Sequence, residues 1–183
     1  GGYTTASGDF TTSMGRYTTA SGNRATAMGE RTTASGIWST AMGYYTTASG
    51  LASTAIGWNT TANGGASTAM GKETIASDYS STIIGQYNSS GSSATSANSF
   101  STSAPAFVIG NGTASNAKSD AFKVLFNGDA TVSNDLTVSG DVVISSDARL
   151  KSNIVSLGST LSKLLQIDGK SYEMKGKQKI GVL

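Results

Sequence analysis

The chain has 183 residues, among them 23 glycines and one proline, no cysteine, no histidine and only 13% charged side chains. Without Cys or His there is no disulfide framework, no thiolate or imidazole metal site and no histidine-based catalysis. The net charge of +2 is unevenly placed: residues 1–146 carry six basic and eight acidic side chains, residues 147–183 seven basic and three acidic. The long first part therefore lacks the basic field that nucleic-acid binding needs.

Glycine recurs every seventh residue from Gly8 to Gly71 and again at Gly85, with Asp78 in the one irregular place. The third residue before that position is Thr in eleven of twelve units, Ile75 being the exception, and the second is Ala in ten. The residue just before it alternates: Ser7, Ser21, Ser35, Ser49, Asn63 and Ser77 interleave with Met14, Met28, Met42, Ile56, Met70 and Ile84. The true period is thus fourteen, in two unlike halves. A helix is a poor reading, since interior glycine costs about 1 kcal/mol relative to alanine and no leucine seam is present. Thr-rich half-units closed at a glycine that tolerates positive φ predict short strands and a narrow two-sheet parallel β-roll. Six coils at ~4.8 Å each make roughly 29 Å of rod. Alternation places the Thr three before glycine and the Ser or Met one before it on the same face, expected inside, with Met packed against Ser. Ala and the residue before it are then expected outside; the competing placement has Ala inside and Met on an oligomer axis. A roll this thin buries little per chain, which predicts a homotrimer.

Units such as "WSTAMG" and "ASTAIG" resemble the head repeats of YadA-type trimeric autotransporter adhesins. That resemblance, over residues 1–86, implies a trimeric left-handed parallel β-roll of fourteen-residue coils and an adhesive role at a cell surface.

Residues 87–105 lose the beat and read as a polar transition. Short strand-like runs follow over 106–145, among them "AFKVLFNGD", with Phe122, Val124 and Phe126 on one face before an Asn127-Gly128 turn. "ATVSN", "LTVSG" and "DVVIS" are too short to stand alone, so Val132, Leu136, Val138, Val142 and Ile144 are expected along the axis of an intertwined trimeric stalk. Leu157, Leu161, Leu164 and Leu165 fall on one face of a predicted helix that stops at Asp168-Gly169. The tail "KSYEMKGKQKIGVL" reads as a basic hairpin leading into an apolar strand. The fold class is therefore all-β, a solenoid and stalk with a short α/β C-terminal segment.

The junction "SSDARLKSNI" (residues 145–154) is similar to the start of the intramolecular chaperone of endosialidase-type phage tail fibres and tailspikes. The resemblance, carried over 146–183, implies trimerisation followed by self-cleavage, with Ser146 as nucleophile, Asp147 as first residue of the released part and Lys151 as base. A hydroxyl nucleophile needs a base, and a desolvated Lys with lowered pKa can serve where His is absent. Read on residues alone, Ser146 and Asp147 are equally a cap, and Lys151 a surface charge.

Aromatic residues cluster near the turns, and Tyr17, Trp38, Tyr45 and Trp58 are the candidates for stacking on a surface glycan. Covering of coil edges and chain seams is the other reading of the same residues. No metal or cofactor is expected, aspartate being almost absent from the repeats. A hydrolytic tailspike needs a carboxylate pair, and the repeats offer only Asp9, Glu30, Glu73 and Asp78. An ice-binding solenoid is the rival class: Thr4, Thr18, Thr32, Thr46, Thr60 and Thr74 are expected as one outward column, but beside outward Ala rather than a second Thr column. The sequence thus reads as a trimeric attachment fibre, either a bacterial adhesin or a phage-type tail fibre with a receptor-binding role. It is expected outside the cell, on a cell surface or on a virion, with no membrane insertion by this segment.

Overall fold

A computed structural model describes residues 1–140, together with the backbone of 169–174 and 177–182. The chain divides into two units, Gly1–Thr137 and Val138–Leu183. The first is all-β among its described residues. Each of six coils contributes one two-residue strand and one five-residue strand. The short ones are β1 (Thr5–Ala6), β3 (Thr19–Ala20), β5 (Thr33–Ala34), β7 (Thr47–Ala48), β9 (Thr61–Ala62) and β11 (Ile75–Ala76). The long ones are β2 (Thr12–Arg16), β4 (Thr26–Glu30), β6 (Thr40–Tyr44), β8 (Thr54–Trp58), β10 (Thr68–Lys72) and β12 (Thr82–Gln86). Pairing is parallel and in register at a spacing of fourteen residues, as in Ala41↔Ala55 and Gly43↔Gly57. The short strands form a six-stranded sheet, and the long strands belong to a nine-stranded one. The fourteen-residue coil read from the sequence is the coil observed.

Which residues line the interior is the reverse of the expected placement. Ala20, Ala27, Ala34, Ala41, Ala48, Ala55, Ala62, Ala69 and Ala76 are completely buried, as are Thr18, Thr32, Thr46, Thr60 and Thr74 and, just before the long strands, Ser39, Ser53 and Ser67. Met14, Met42 and Met70 are instead exposed, at 54%, 36% and 42%. The physical reason is width. As far as Ala76, turns this tight hold the two sheets so close that Ala, Ser and Thr fill the space between them and Met has no room; a larger inward residue, Ile83, occurs only in the last coil. Because side chains alternate along a strand, a one-residue error moves the whole set to the other face.

Two consequences follow. The column from Thr18 to Thr74 is interior, so the outward Thr-beside-Ala pattern weighed for ice binding is absent. On the short sheet the outward positions are Thr19, Thr33, Thr47 and Thr61 beside Ser21, Ser35, Ser49 and Asn63 at the strand ends, two columns of polar side chains. On the long strands the outward residues form a cross-strand row, Met14, Met28, Met42, Ile56, Met70 and Ile84, each the register partner of the next.

On the long strands glycine supplies the expected positive φ, with Gly15, Gly29, Gly43, Gly57 and Gly71 between 119° and 131°, but at the corners the left-handed backbone falls to other residues. The left-handed residue at each corner is the second one after glycine: Tyr17, Arg31, Trp38, Tyr45 and Asn59 all have φ between 53° and 59°. Each such non-glycine residue costs on the order of 1 kcal/mol, offset by a backbone bond to the preceding coil. Tyr45 N–H, for example, donates to Glu30 O at 2.9 Å, and Asn59 N–H to Tyr44 O at 2.8 Å. Glycine itself is required by stacking. A Cβ on Gly43 would lie 2.0 Å from the carbonyl oxygen of Gly57, one coil on.

Asp78 interrupts the glycine series because no further coil stacks on it. Its carboxylate Oδ1 accepts the N–H groups of Thr95 and Ser96 at 2.5 and 2.7 Å, in the segment that covers the end of the roll. In the same segment the Asn88 amide imitates a strand, accepting from Ile75 N–H at 2.8 Å and donating to Ile75 O at 2.9 Å. The polar stretch after residue 86 therefore satisfies the open edge of the short sheet, the role of a solenoid cap.

The chain then re-enters the long sheet. β13 (Pro105–Asn111) lies parallel to β12, with Ile84↔Ile109, and buries Val108 beside Ile83. β14 (Asp120–Leu125) and β15 (Ala130–Val132) follow antiparallel. Ala130–Val132 thus finds a strand partner within its own chain. The apolar row continues through Ile109↔Phe122 and Phe122↔Val132, and every strand of the sheet contributes to it. Leu136 and Val138 are exposed; Val142 and Ile144 lie outside the described residues.

In the second unit, β16 (Gly169–Met174) and β17 (Lys177–Val182) pair antiparallel, from Gly169↔Val182 to Met174↔Lys177. This is the hairpin expected of the tail. The helix expected over 157–165 lies outside the described residues.

Candidate functional site: an aromatic corner of the roll

The left-handed corners throw their side chains outward in columns, two columns per corner. The corner after the long strands carries Tyr3, Tyr17, Arg31, Tyr45, Asn59, Glu73 and Tyr87 at the left-handed position. The residue before each is Gly2, Arg16, Glu30, Tyr44, Trp58, Lys72 and Gln86. The opposite corner carries Phe10, Arg24, Trp38, Ala52, Ala66 and Ser80. Of the four aromatic candidates, Tyr17, Tyr45 and Trp58 therefore share one edge of the rod and Trp38 stands on the other.

The shared edge is a ladder. Tyr3 and Tyr17 stack with ring centroids 5.0 Å apart and 5° between planes. The Arg31 guanidinium lies 5.4 Å from the Tyr17 centroid and 5.0 Å from that of Tyr45, and it also donates to the Tyr45 hydroxyl. Tyr44 meets Tyr45 edge-on, at 4.6 Å and 78°. Further along, the Lys72 ammonium sits 4.7 Å from the Trp58 ring and 5.4 Å from that of Tyr87. Between the two groups opens a cleft of about 390 Å³ lined by Tyr44, Tyr45, Trp58 and Asn59. Asn59 was not among the sequence candidates. Its signal was its place in the Tyr17–Arg31–Tyr45 column, where a small amide follows three broad flat groups.

A second, polar cleft of about 380 Å³ lies beside β14 and β15, lined by Lys118, Lys123, Ser119, Thr131, Ser133 and Asn134 among others. Its carboxylate, Asp120, is occupied in accepting Ser89 and Ser90 N–H at 2.8 and 2.9 Å.

The scattered acids do not form a catalytic pair. Glu30 faces Arg16 at 3.3 Å, Asp78 is buried in the cap, Asp9 adjoins the opposite corner, and Glu73 is three coils, roughly 14 Å, from Glu30 along the rod. Among the described residues no group of His, Cys, Asp and Glu is placed to hold a metal. No described helix is long and apolar enough to cross a membrane. Ser146, Asp147 and Lys151 lie outside the described residues.

Comparison with curated proteins finds no match. Two protein families match separate parts of the chain. The YadA head domain repeat, taken two copies at a time, matches residues 6–32, 20–46, 34–60 and 48–74, windows that advance by one fourteen-residue coil. The chaperone of endosialidase matches residues 146–183. The head family implies homotrimeric assembly, and both families are extracellular or surface-exposed. Residues 6–74 therefore match the YadA head domain repeat, and residues 146–183 match the chaperone of endosialidase.

Proposed function

We propose that this chain forms a homotrimeric attachment fibre: a β-roll head over 1–86, a capped continuation and stalk over 87–145, and an assembly-chaperone region over 146–183. The observation that carries the reading is the apolar row Met14 to Val132, which runs the length of the nine-stranded sheet on its outward face. A single chain leaves that row in water, and closure around a threefold axis buries it three times over. The hydroxyl-rich sheet and the aromatic corner then remain for contact with a cell-surface glycan, receptor or polymer. Such contact is made by side chains alone and needs no resident cofactor.

The chaperone match over residues 146–183 supports a phage-type tail fibre with a receptor-binding role as the form this fibre takes, because the chaperone resembled is that of tail fibres and tailspikes. Self-cleavage at Ser146-Asp147 is proposed with it. The Ser146 hydroxyl would attack its own carbonyl carbon to close a four-membered β-lactone; Lys151 would accept the hydroxyl proton and pass it to the Asp147 nitrogen as that C–N bond breaks, and water would then open the lactone to leave a Ser146 carboxylate. Incubating the whole gene product should release a fragment whose first residue is Asp147. Ser146→Ala should abolish that fragment, and Lys151→Ala should slow its release by at least about a hundredfold. A full-length product that stays intact, or a Ser146→Ala variant that still cleaves, overturns the cleavage.

A further inference from the structure

We infer that the gap in the aromatic ladder at Asn59 is a saccharide slot, one per chain, that takes a neutral pyranose ring stacked on Tyr45. This deepens the attachment reading and rests on it. Along this corner successive coils lie ~4.8 Å apart, close to the stacking distance of flat groups. Tyr3, Tyr17, Arg31 and Tyr45 therefore cover one another in sequence, at 5.0 to 5.4 Å. The next rung is Asn59, whose side chain is too short to cover the ring below it. A six-membered ring at van der Waals distance from Tyr45, about 4 Å, would lie at the level of Asn59 and replace the missing rung.

The walls suit a sugar. Tyr44 and Trp58 flank the gap, exposed at 41% each, and offer flat faces to an apolar C–H surface, while the Asn59 amide offers both a donor and an acceptor to ring hydroxyls. None of the four lining residues is charged. The nearest cations, Arg31 and Lys72, lie against Tyr45 and Trp58, but carboxylates offset them: Glu30 Oε1 is 4.0 Å from Arg31 Nε, and Glu73, next to Lys72, stands one coil beyond Asn59 in the same column. With the charges around it balanced, the slot favours a neutral saccharide over an acidic one. Three copies on a trimer would add avidity for a repeating polysaccharide.

The chain has two tryptophans, so Trp38→Phe leaves Trp58 as the only indole and its emission reports on the slot. The probes are soluble oligosaccharides of glucose and of N-acetylglucosamine, with a uronic-acid oligosaccharide as the anionic arm, added to the assembled full chain. The expected result is a saturable blue shift of Trp58 emission with at least one neutral probe and little or none with the anionic one. Asn59→Tyr fills the gap with the residue that already stands at 17 and 45. Asn59 has φ 53° and Tyr45 has φ 55°, so the backbone accepts it and the roll stays folded. This variant should weaken binding about tenfold or more with no change in assembled mass. The inference is overturned by equal binding of Asn59→Tyr and the parent, by response to the anionic probe alone, or by no response to any probe. It is also overturned if Trp58 is shielded from acrylamide in the sugar-free assembly, since a neighbouring chain then fills the gap. Retained attachment of Asn59→Tyr to a whole surface would remove the slot while leaving the attachment reading intact.

Discussion

Gly43→Ala is expected to destabilise the roll by at least about 3 kcal/mol, enough to leave much of the protein unfolded or aggregated at ambient temperature. Two effects add. The residue sits at φ 124°, a conformation that L side chains rarely adopt, and the new Cβ would lie 2.0 Å from Gly57 O and 3.0 Å from Gly57 C. Those atoms belong to backbone held in a parallel ladder on both sides, since β6 pairs with β4 and with β8. The coil cannot move aside without lifting every coil beyond it. Gly128→Ala is the control: φ is positive there too, at 93°, but nothing lies within 4 Å of the added carbon. It should cost only the backbone strain, about 1 kcal/mol. Thermal unfolding followed by circular dichroism separates the two, and equal melting points would contradict the close-stacking account.

Ala55→Leu is expected to be nearly as damaging, by about 3 kcal/mol, whereas Ile56→Leu, one residue on, should cost less than about 1 kcal/mol. Ala55 is completely buried and stacked between Ala41 and Ala69. Three added carbon atoms there must force the two sheets apart along several coils. Ile56 stands on the outward row, where Met42 and Met70 are its partners and a change of branching finds room. Denaturant midpoints of the two variants report directly which face is inside. If Met and Ile filled the roll, the order of the two effects would reverse.

Much of the fold was legible. The strict glycine beat gave the coil, and the alternation of Ser with Met gave its two unlike halves. Counting in fourteens also predicts which corner residues share an edge: Tyr17 and Tyr45 are two coils apart, while Trp38 is one and a half coils from Tyr17 and must face the other way. The inside of the roll was misread because size was taken as the guide to burial. The better guide was variety. Position 18 and its repeats at 32, 46, 60 and 74 never depart from Thr, and from Ala20 to Ala76 the second residue before the glycine position never departs from Ala. The residue just before that position ranges over Ser, Asn, Met and Ile, the freedom of an outward site.

The corner conformation was not legible, because glycine drew the turn to itself while Tyr, Trp and Arg two residues later took the left-handed backbone. Their cost is met by hydrogen bonds to a neighbouring coil, which no local pattern displays. Asp78 reads as a fault in the repeat until the cap is seen: Thr95 and Ser96, far along the chain, are what it serves. The slot at Asn59 depends on the same corner geometry, since only a column of side chains projecting at coil spacing makes a missing rung into a cavity.

The central claim, that the apolar row from Met14 to Val132 closes around a threefold axis, is tested most directly by the solution mass of the whole chain in multi-angle light scattering. The account predicts one species at three times the 18.5 kDa of a single chain, falling towards the single-chain mass when Met42 and Ile56 are both replaced by aspartate. A monodisperse monomer of the unaltered chain, or a trimer indifferent to those two charges, would contradict it.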